Sequence, residues 1–487
     1  MRETLKIGWA SESITPDRPV MLEGQLYPRV SKYVHDPVTA TALAISSGER
    51  HCVMVSLDMV FISEALAERI RRAVGGADGL DADAITFSCI HTHNSTSFEC
   101  DAFRERFRAA LGDGIPPLEL PGDLLVGEEA TLFAVERIAG VILRAWGSRT
   151  SGGVSCAQEY AAVGFNRRPV FRRADGGADS VMYGGCDDPA FMGFEGTVDH
   201  GVNALYTWDT AGNLTGVAVG VPCPAQVMEL HSFISADFWG HARARIREKL
   251  GNVFVLPLCE ASGDQNPLDL VRISKSNREE LAKWNAQAGE AWINCDPDRE
   301  CDRIGRRIAS AVEIALPSAR AAAEYRPAFK FLRAEVELPI RTVSAGDAMD
   351  ARREIEEAQA RFSKENPAAG EDIVRLYEPL GVHDRWRLQE QTKAFRYRAG
   401  FLRIGGAVFS FNPFELFVDY ALRIRARARA EHVFIVQLTD GYAGYLPTRE
   451  AVEGGSYSSK PASTLVGPEG GEKFLEIYLE RMNGLMK

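Results

Sequence analysis

Val53-Met54-Val55-Ser56-Leu57-Asp58, then Ser63 to Val74, then Ala84 to Ile90 running straight into His91-Thr92-His93, is the stretch that decides the fold. Val53 to Leu57 is a short apolar run ending on an aspartate, the pattern of a buried strand. Leu66, Ile70 and Val74 recur at helical spacing, and Gly75-Gly76 stops the helix they predict. Ala84 to Ile90 reads as a second strand. A strand, a helix and a strand in that order predict a β-α-β unit with parallel pairing. The second strand delivers two histidines to its carboxyl end, where loops leave a rigid sheet and ligand groups collect.

The same grammar recurs outward from this unit. Val253 to Leu258 runs into Cys259-Glu260-Ala261-Ser262-Gly263-Asp264-Gln265-Asn266-Pro267, and Val433 to Leu438 into Thr439-Asp440-Gly441-Tyr442-Ala443-Gly444-Tyr445. In both, an apolar run hands small and polar residues to a loop. Arg172 to Gly196, rich in Gly and Asp, predicts a long surface or lid loop. The charged, helix-favouring stretch Ala345 to Arg398 predicts two amphipathic helices inserted between strands. Neither a repeat nor a linker interrupts residues 1–487. The expectation is one α/β domain of mixed, largely parallel sheets flanked by helices.

The chain has 487 residues, mean hydropathy −0.16, and 56 Lys plus Arg against 67 Asp plus Glu, a net charge of −11. Such a composition excludes a disordered chain, a collagen-like repeat and a disulfide-stapled miniature. An acidic chain repels phosphate backbones and anionic leaflets, so nucleic acid is not an expected partner. The run Arg423-Ile424-Arg425-Ala426-Arg427-Ala428-Arg429 reads as a solvated helix face. Thr210 to Met228, the longest charge-free run, is broken by Gly, Asn, Gln and two prolines and predicts no membrane span. Nine scattered cysteines, with no CxxC pair beside Cys295 and Cys301, fit a reducing compartment. Met1-Arg2-Glu3-Thr4-Leu5-Lys6 lacks an apolar signal core, so a cytoplasmic location is expected.

No GxSxG elbow, P-loop or HExxH occurs. What remains is His91-Thr92-His93. Two histidines at i and i+2 on an extended segment face the same way, which suits a metal ligand with a neighbouring acid or base. A pair of hydrogen-bonded structural histidines leaves the same trace. Asp58 and Asp264 are expected to order loops. Glu229 is a spare carboxylate able to replace a ligand or serve as a base.

A set of short segments adds to this reading. Ser13-Ile14-Thr15-Pro16, Val34-His35-Asp36-Pro37-Val38, Val55-Ser56-Leu57-Asp58, His91-Thr92-His93 and Phe165-Asn166-Arg167-Arg168-Pro169 are followed by Ser235-Ala236-Asp237, Gly263-Asp264-Gln265-Asn266-Pro267, Asn412-Pro413-Phe414-Glu415 and Gly444-Tyr445-Leu446-Pro447-Thr448. Taken in this order, they resemble the catalytic domain of the neutral/alkaline non-lysosomal ceramidases, a family of zinc-dependent amidases. The resemblance implies a zinc ion held by His91, Glu415 and Tyr445, with His93 beside it as proton shuttle to the leaving nitrogen. It also implies an oxyanion stabilised by Arg167 and Tyr457. Imidazole and carboxylate are ordinary zinc ligands, and a dication favours a deprotonated phenol.

Three departures from the family pattern carry their own expectations. The family's third ligand, a histidine upstream of Ser235-Ala236-Asp237, falls on Cys223. A Cys223 thiolate is a suitable replacement, His231 is another, and a buried Cys223 with the metal weakened or lost is a third. With the histidine exchanged, a divalent ion other than zinc fits as well. Asn266 stands where ceramidases carry a serine, and its amide can donate to an oxyanion. The chain also stops at Lys487, without the C-terminal β-sandwich of full-length ceramidases, so the resemblance implies a small, soluble, polar substrate rather than a bilayer sphingolipid. Three functions follow in order: a metal-dependent hydrolase of an amide bond; a metal-dependent lyase or hydrolase acting on a sugar-like polyol; and a non-catalytic binding protein on a decayed enzyme fold.

Overall fold

The computed structural model describes residues 3–98, 102–115, 120–275 and 296–487. Strands β1 (Leu5–Ser13), β2 (Thr39–Ser47), β3 (Arg50–Leu57), β4 (Ile85–Cys89), β5 (Thr150–Tyr160), β6 (Gly201–Asp209), β7 (Leu214–Val221) and β8 (Phe254–Cys259) form one sheet in the order β8-β7-β6-β5-β1-β2-β3-β4. A second sheet runs β9 (Phe329–Pro339), β10 (Ala394–Ile404), β11 (Ala407–Phe411), β12 (His432–Val436). Period-two alternation places the two faces. Leu43 and Ile45 of β2, Leu205 of β6 and Ala218 of β7 meet Leu402, Phe409, Phe411 and Phe434 of the second sheet. The alternate residues Ala42, Val55, Phe87, Tyr206 and Val219 turn to the opposite face.

Helices cover both outer faces. The predicted helix is α1 (Glu64–Val74), capped by the Ser63 side chain, which accepts from the Leu66 amide; Leu66, Ile70 and Val74 are buried. With α2 (Gly127–Gly147) it packs on one half of the large sheet, and α3 (Phe238–Leu250) with α4 (Pro297–Ala321) packs on the other. On the second sheet, α7 (Val418–Arg427) and α8 (Pro468–Leu485) do the same. Between β9 and β10 come α5 (Ala345–Arg361), a short helix over Gly370–Arg375 and α6 (Tyr377–Gln391), three helices where two were expected, and the charged stretch ends inside β10.

The expectation of largely parallel sheets is corrected. In the large sheet only β3/β4 and β7/β8 pair parallel, and in the second only β11/β12; every other pair is antiparallel. The β-α-β reading of residues 53–90 is right, but it describes an edge. Tight turns between β2 and β3 and between β6 and β7 force antiparallel neighbours in the middle. Arg172 to Gly196 is likewise not an unstructured loop. Pro169–Arg172, Ala178–Ser180 and Phe191–Phe194 pair into a small three-stranded sheet. Arg425 departs from a solvated face too, reaching buried partners Asp199 and Glu260.

Seven cysteines lie among the described residues, all free; Cys100 and Cys295 lie outside them. Among the described residues no helix is long and apolar enough to cross a membrane. Ser344 caps α5, its hydroxyl accepting from the Asp347 amide at 3.1 Å while the Asp347 carboxylate accepts from the Ser344 amide at 3.0 Å. Ser344→Ala is expected to cost about 1 kcal/mol, read as a lower urea midpoint with unchanged slope.

Candidate functional site

The three parallel pairs of the two large sheets end at one place, where a fourth, short parallel pair sets Glu415 beside Tyr445. Beyond β4, the Ile90 amide donates to the Leu57 carbonyl and the His91 amide to that of Met59. His91 then takes a left-handed conformation, φ 64°. That turn, rather than strand alternation, brings the two histidine rings together, edge to face with centroids 4.8 Å apart. The extended His91-Thr92-His93 expected from the sequence is corrected accordingly. Strained non-glycine backbone recurs around the site at Tyr183, Asp237, Leu438, Asp440 and Ser456, the usual mark of a place where function overrides local preference.

His91 Nδ1 donates to the Val60 carbonyl at 2.9 Å, which turns Nε2 toward Glu415 and His93. Glu415 follows β11, and its Oε2 stands 3.4 Å from that nitrogen. Burial alone would raise the Glu415 carboxyl, but the His91 imidazole, the Arg167 guanidinium and hydrogen bonds from His91 and Tyr445 hold it down at about 2. A carboxylate oxygen and an imidazole nitrogen at this distance share a proton or flank a cation. Ligand atoms of a tetrahedral zinc sit about 3.3–3.6 Å from one another, so this pair fits two corners of such a site. Among the described residues no three His, Cys, Asp or Glu side chains meet around a metal position. The third donor beside the pair is a phenol, Tyr445, whose backbone pairs with that of Glu415 and whose ring lies 5.3 Å from the Arg167 guanidinium. Burial and Glu415 raise that phenol, while Arg167 opposes them.

His93 completes a second pair. Its Nδ1 stands 3.1 Å from Glu229 Oε2, and its Nε2 accepts from the Gln226 amide at 2.7 Å. Burial, His91 and Arg29 push the His93 ring well below the usual histidine range, so it is neutral. Burial lifts the Glu229 carboxyl to about 7 against Arg167, Arg29 and His91. Asp237 Oδ2 accepts from the Met228 amide at 2.7 Å and so holds the turn that carries both Gln226 and Glu229.

Asn166 and Asn266 belong to a two-residue strand pair that places Arg167 over the Tyr445 ring, 5.3 Å from its centroid. Arg167 also donates to the Gly263 carbonyl at 2.8 Å. Gly263 itself lies so close to Glu415 that a Cβ there would sit 2.3 Å from the Glu415 carbonyl oxygen. Asp264 orders this junction, accepting from the Val418 amide and from Asn166. Asn266 is fully buried and donates to the Tyr183 hydroxyl at 2.7 Å and to Gln226 Oε1 at 3.2 Å. Tyr457 lies with its ring 5.6 Å from that of Tyr445, and Arg168, buried beneath, ties Glu195 to the Gly455 carbonyl and Ser458 of the same segment.

The structure thus brings together His91, His93, Arg167, Asn266, Glu415, Tyr445 and Tyr457. It does not bring Cys223 or His231 to them. Cys223 is fully buried among Val163, Val221 and Ala225, and its thiol points at the Pro224 carbonyl. Burial, then Cys259 and Asp237, push that thiol far up, so it stays protonated. The His231 ring is stacked on Phe233 at 5.0 Å. Sequence reasoning missed Gln25, Tyr183, Gln226 and Tyr442, single polar residues with no motif. Only the loop position of Tyr442 pointed to it.

No family model and no curated protein matches the sequence. Among solved structures, a ceramidase complexed with C2 matches 99% of this chain and 75% of its own, with TM-score 0.67 and 15% identity. The neutral ceramidase from Pseudomonas aeruginosa matches 99% and 74%, with TM-score 0.65 and 17% identity. The chain has a ceramidase-like fold.

Proposed function

We propose that the chain is a hydrolase that cleaves an amide bond in a small polar substrate, with a divalent metal, zinc first, on His91, Glu415 and Tyr445. The observation that carries this reading is the His91–Glu415 pair, a ring nitrogen and a carboxylate oxygen 3.4 Å apart, with the Tyr445 phenol beside them. Three protein ligands are the number found in catalytic zinc sites, which keep one position open. When bound, the metal supplies a Lewis acid that polarises a carbonyl and lowers the pKa of water. Val60 fixes the His91 tautomer in advance, as backbone carbonyls commonly do for metal-ligating histidines.

The remaining residues divide the work of acyl transfer. Arg167, held over Tyr445, and Tyr457 beside it present donors for a developing oxyanion. The neutral His93 relays a proton to the leaving nitrogen, and Glu229, near 7, stores and replenishes it. Gln25, Gln226, Asn266 and Tyr183 line the same region with amides and a phenol, which favours a substrate rich in polar groups over an acyl chain. The names of the fold's solved neighbours favour amide hydrolysis over other hydrolytic chemistry. That polar wall also supports a second reading, a metal-dependent lyase or hydrolase acting on a sugar-like polyol.

The test is metal analysis of untagged protein together with product assays. About one zinc per chain, lost in His91→Ala, with amine released from a short, polar N-acyl substrate, is the expected result. An ultraviolet-absorbing conjugated product from a polyol, with no amine released, would select the second reading. Protein that takes up no metal and releases no amine would end the first.

A further inference from the structure

Glu415 has two carboxylate oxygens, and only one of them faces His91. Oε2 stands 3.4 Å from His91 Nε2, while Oε1 accepts from the Tyr442 hydroxyl at 2.9 Å. Tyr442 is 45% exposed yet its hydroxyl ends on the buried Glu415 carboxylate, reaching inward from the wall of a separate cavity of about 390 Å³. Its ring is stacked on Phe61, with centroids 4.6 Å apart and planes 17° apart. Phe61 follows Val60, whose carbonyl orients His91. One aromatic pair therefore couples the two backbone segments that aim His91 and Glu415.

The loop bearing Tyr442 is fixed at both ends. Leu438 and Asp440 take left-handed conformations, φ 52° and 58°. The Asp440 carboxylate accepts from Arg71 at 2.6 Å, from Arg333 at 2.7 Å and from the Phe87 amide at 2.9 Å. At the other end, Ala443 donates to the Pro413 carbonyl and Gly444 accepts from the Glu415 amide, both at 2.9 Å. A loop anchored this firmly places a hydroxyl, not merely a ring.

We infer that Tyr442 is a positioning residue: by occupying Oε1 it turns Oε2 of Glu415 toward His91 and makes the carboxylate a one-oxygen ligand. The inference rests on the metal reading above. Donors that hold a metal-ligating carboxylate typically change metal affinity 10–100-fold when removed. Without the hydroxyl, both Glu415 oxygens would be free to hold the ion.

The experiment compares wild-type and Tyr442→Phe protein, which keeps the ring and its stack on Phe61, by zinc competition against a chelator without substrate. The visible spectrum of the cobalt(II) forms, intense for four ligands and weak for more, is the second readout. Expected are about 10–100-fold weaker zinc binding, weaker cobalt bands and an unchanged thermal midpoint. Phe61→Leu, which keeps the hydroxyl but loosens the stack, is expected to move both readouts the same way by less. Zinc affinity within twofold of wild type and an identical cobalt spectrum for Tyr442→Phe overturn the inference alone. Wild-type protein that binds neither ion overturns the metal reading and this inference together.

Discussion

Arg243→Ala is expected to lower the free energy of unfolding by about 3–5 kcal/mol. Arg243 on α3 donates twice to Asp58, at 2.6 and 2.8 Å, and the aspartate is fully buried. Asp58 also accepts from the Thr39 amide at 2.7 Å and from its hydroxyl at 2.9 Å. Removing the guanidinium leaves the neutral donors in place but strands a carboxylate away from water. The cost comes from that unpaired charge rather than from the lost attraction. Asp58→Asn combined with Arg243→Met, which removes both charges and fills the space, is therefore expected to recover most of the loss. The consequence reaches the site as well. Asp58 begins the segment whose Met59 and Val60 carbonyls receive the His91 amide and ring. Metal uptake is expected to weaken in Arg243→Ala even in the folded fraction. Thermal unfolding of both variants with zinc titration checks this, and a midpoint shift as large in the double variant as in Arg243→Ala would refute the unpaired-charge account.

Local periodicity made α1 and its flanking strands legible, because Leu66, Ile70 and Val74 repeat with the helix and Val53 to Leu57 form a continuous apolar run. Strand order was not legible, since β1 sits between β2 and β5, a pairing that no local pattern encodes. At the site, the ordered segments led to His91, Arg167, Glu415 and Tyr445, which the fold gathers from strands and the loops at their ends, and to Tyr457, which opens a short helical turn. Cys223 followed from counting along the chain. The turn from Val221 to Glu229 folds so that the cysteine points into apolar packing and Gln226 and Glu229 point at His93. Counting preserves position in a sequence but not the direction of a side chain through an irregular turn. Tyr183 enters from the small sheet of residues 169–194, which reads as a featureless Gly- and Asp-rich stretch.

Gly24→Ala is expected to cut the turnover of the enzyme proposed above about 100-fold while leaving its metal in place. Gly24 has φ 102°, a conformation that side chains rarely adopt, and a Cβ there would lie 2.5 Å from Cγ of His93. The imidazole has nowhere to retreat. Glu229 holds Nδ1, Gln226 holds Nε2, and Arg29 holds the His93 carbonyl. The added methyl group must therefore shift either the backbone at Gly24 or the whole ring. A ring displaced by about 1 Å loses its line to a leaving nitrogen, and misplacements of that size commonly cost two orders of magnitude. Overpacking adds an expected loss of about 1–3 kcal/mol in stability, so thermal unfolding must accompany the kinetics. Metal stoichiometry separates the causes, because the atoms nearest a Cβ at Gly24 all belong to the His93 ring. Loss of turnover with metal retained assigns the effect to His93, whereas unchanged turnover would remove His93 from the proton relay.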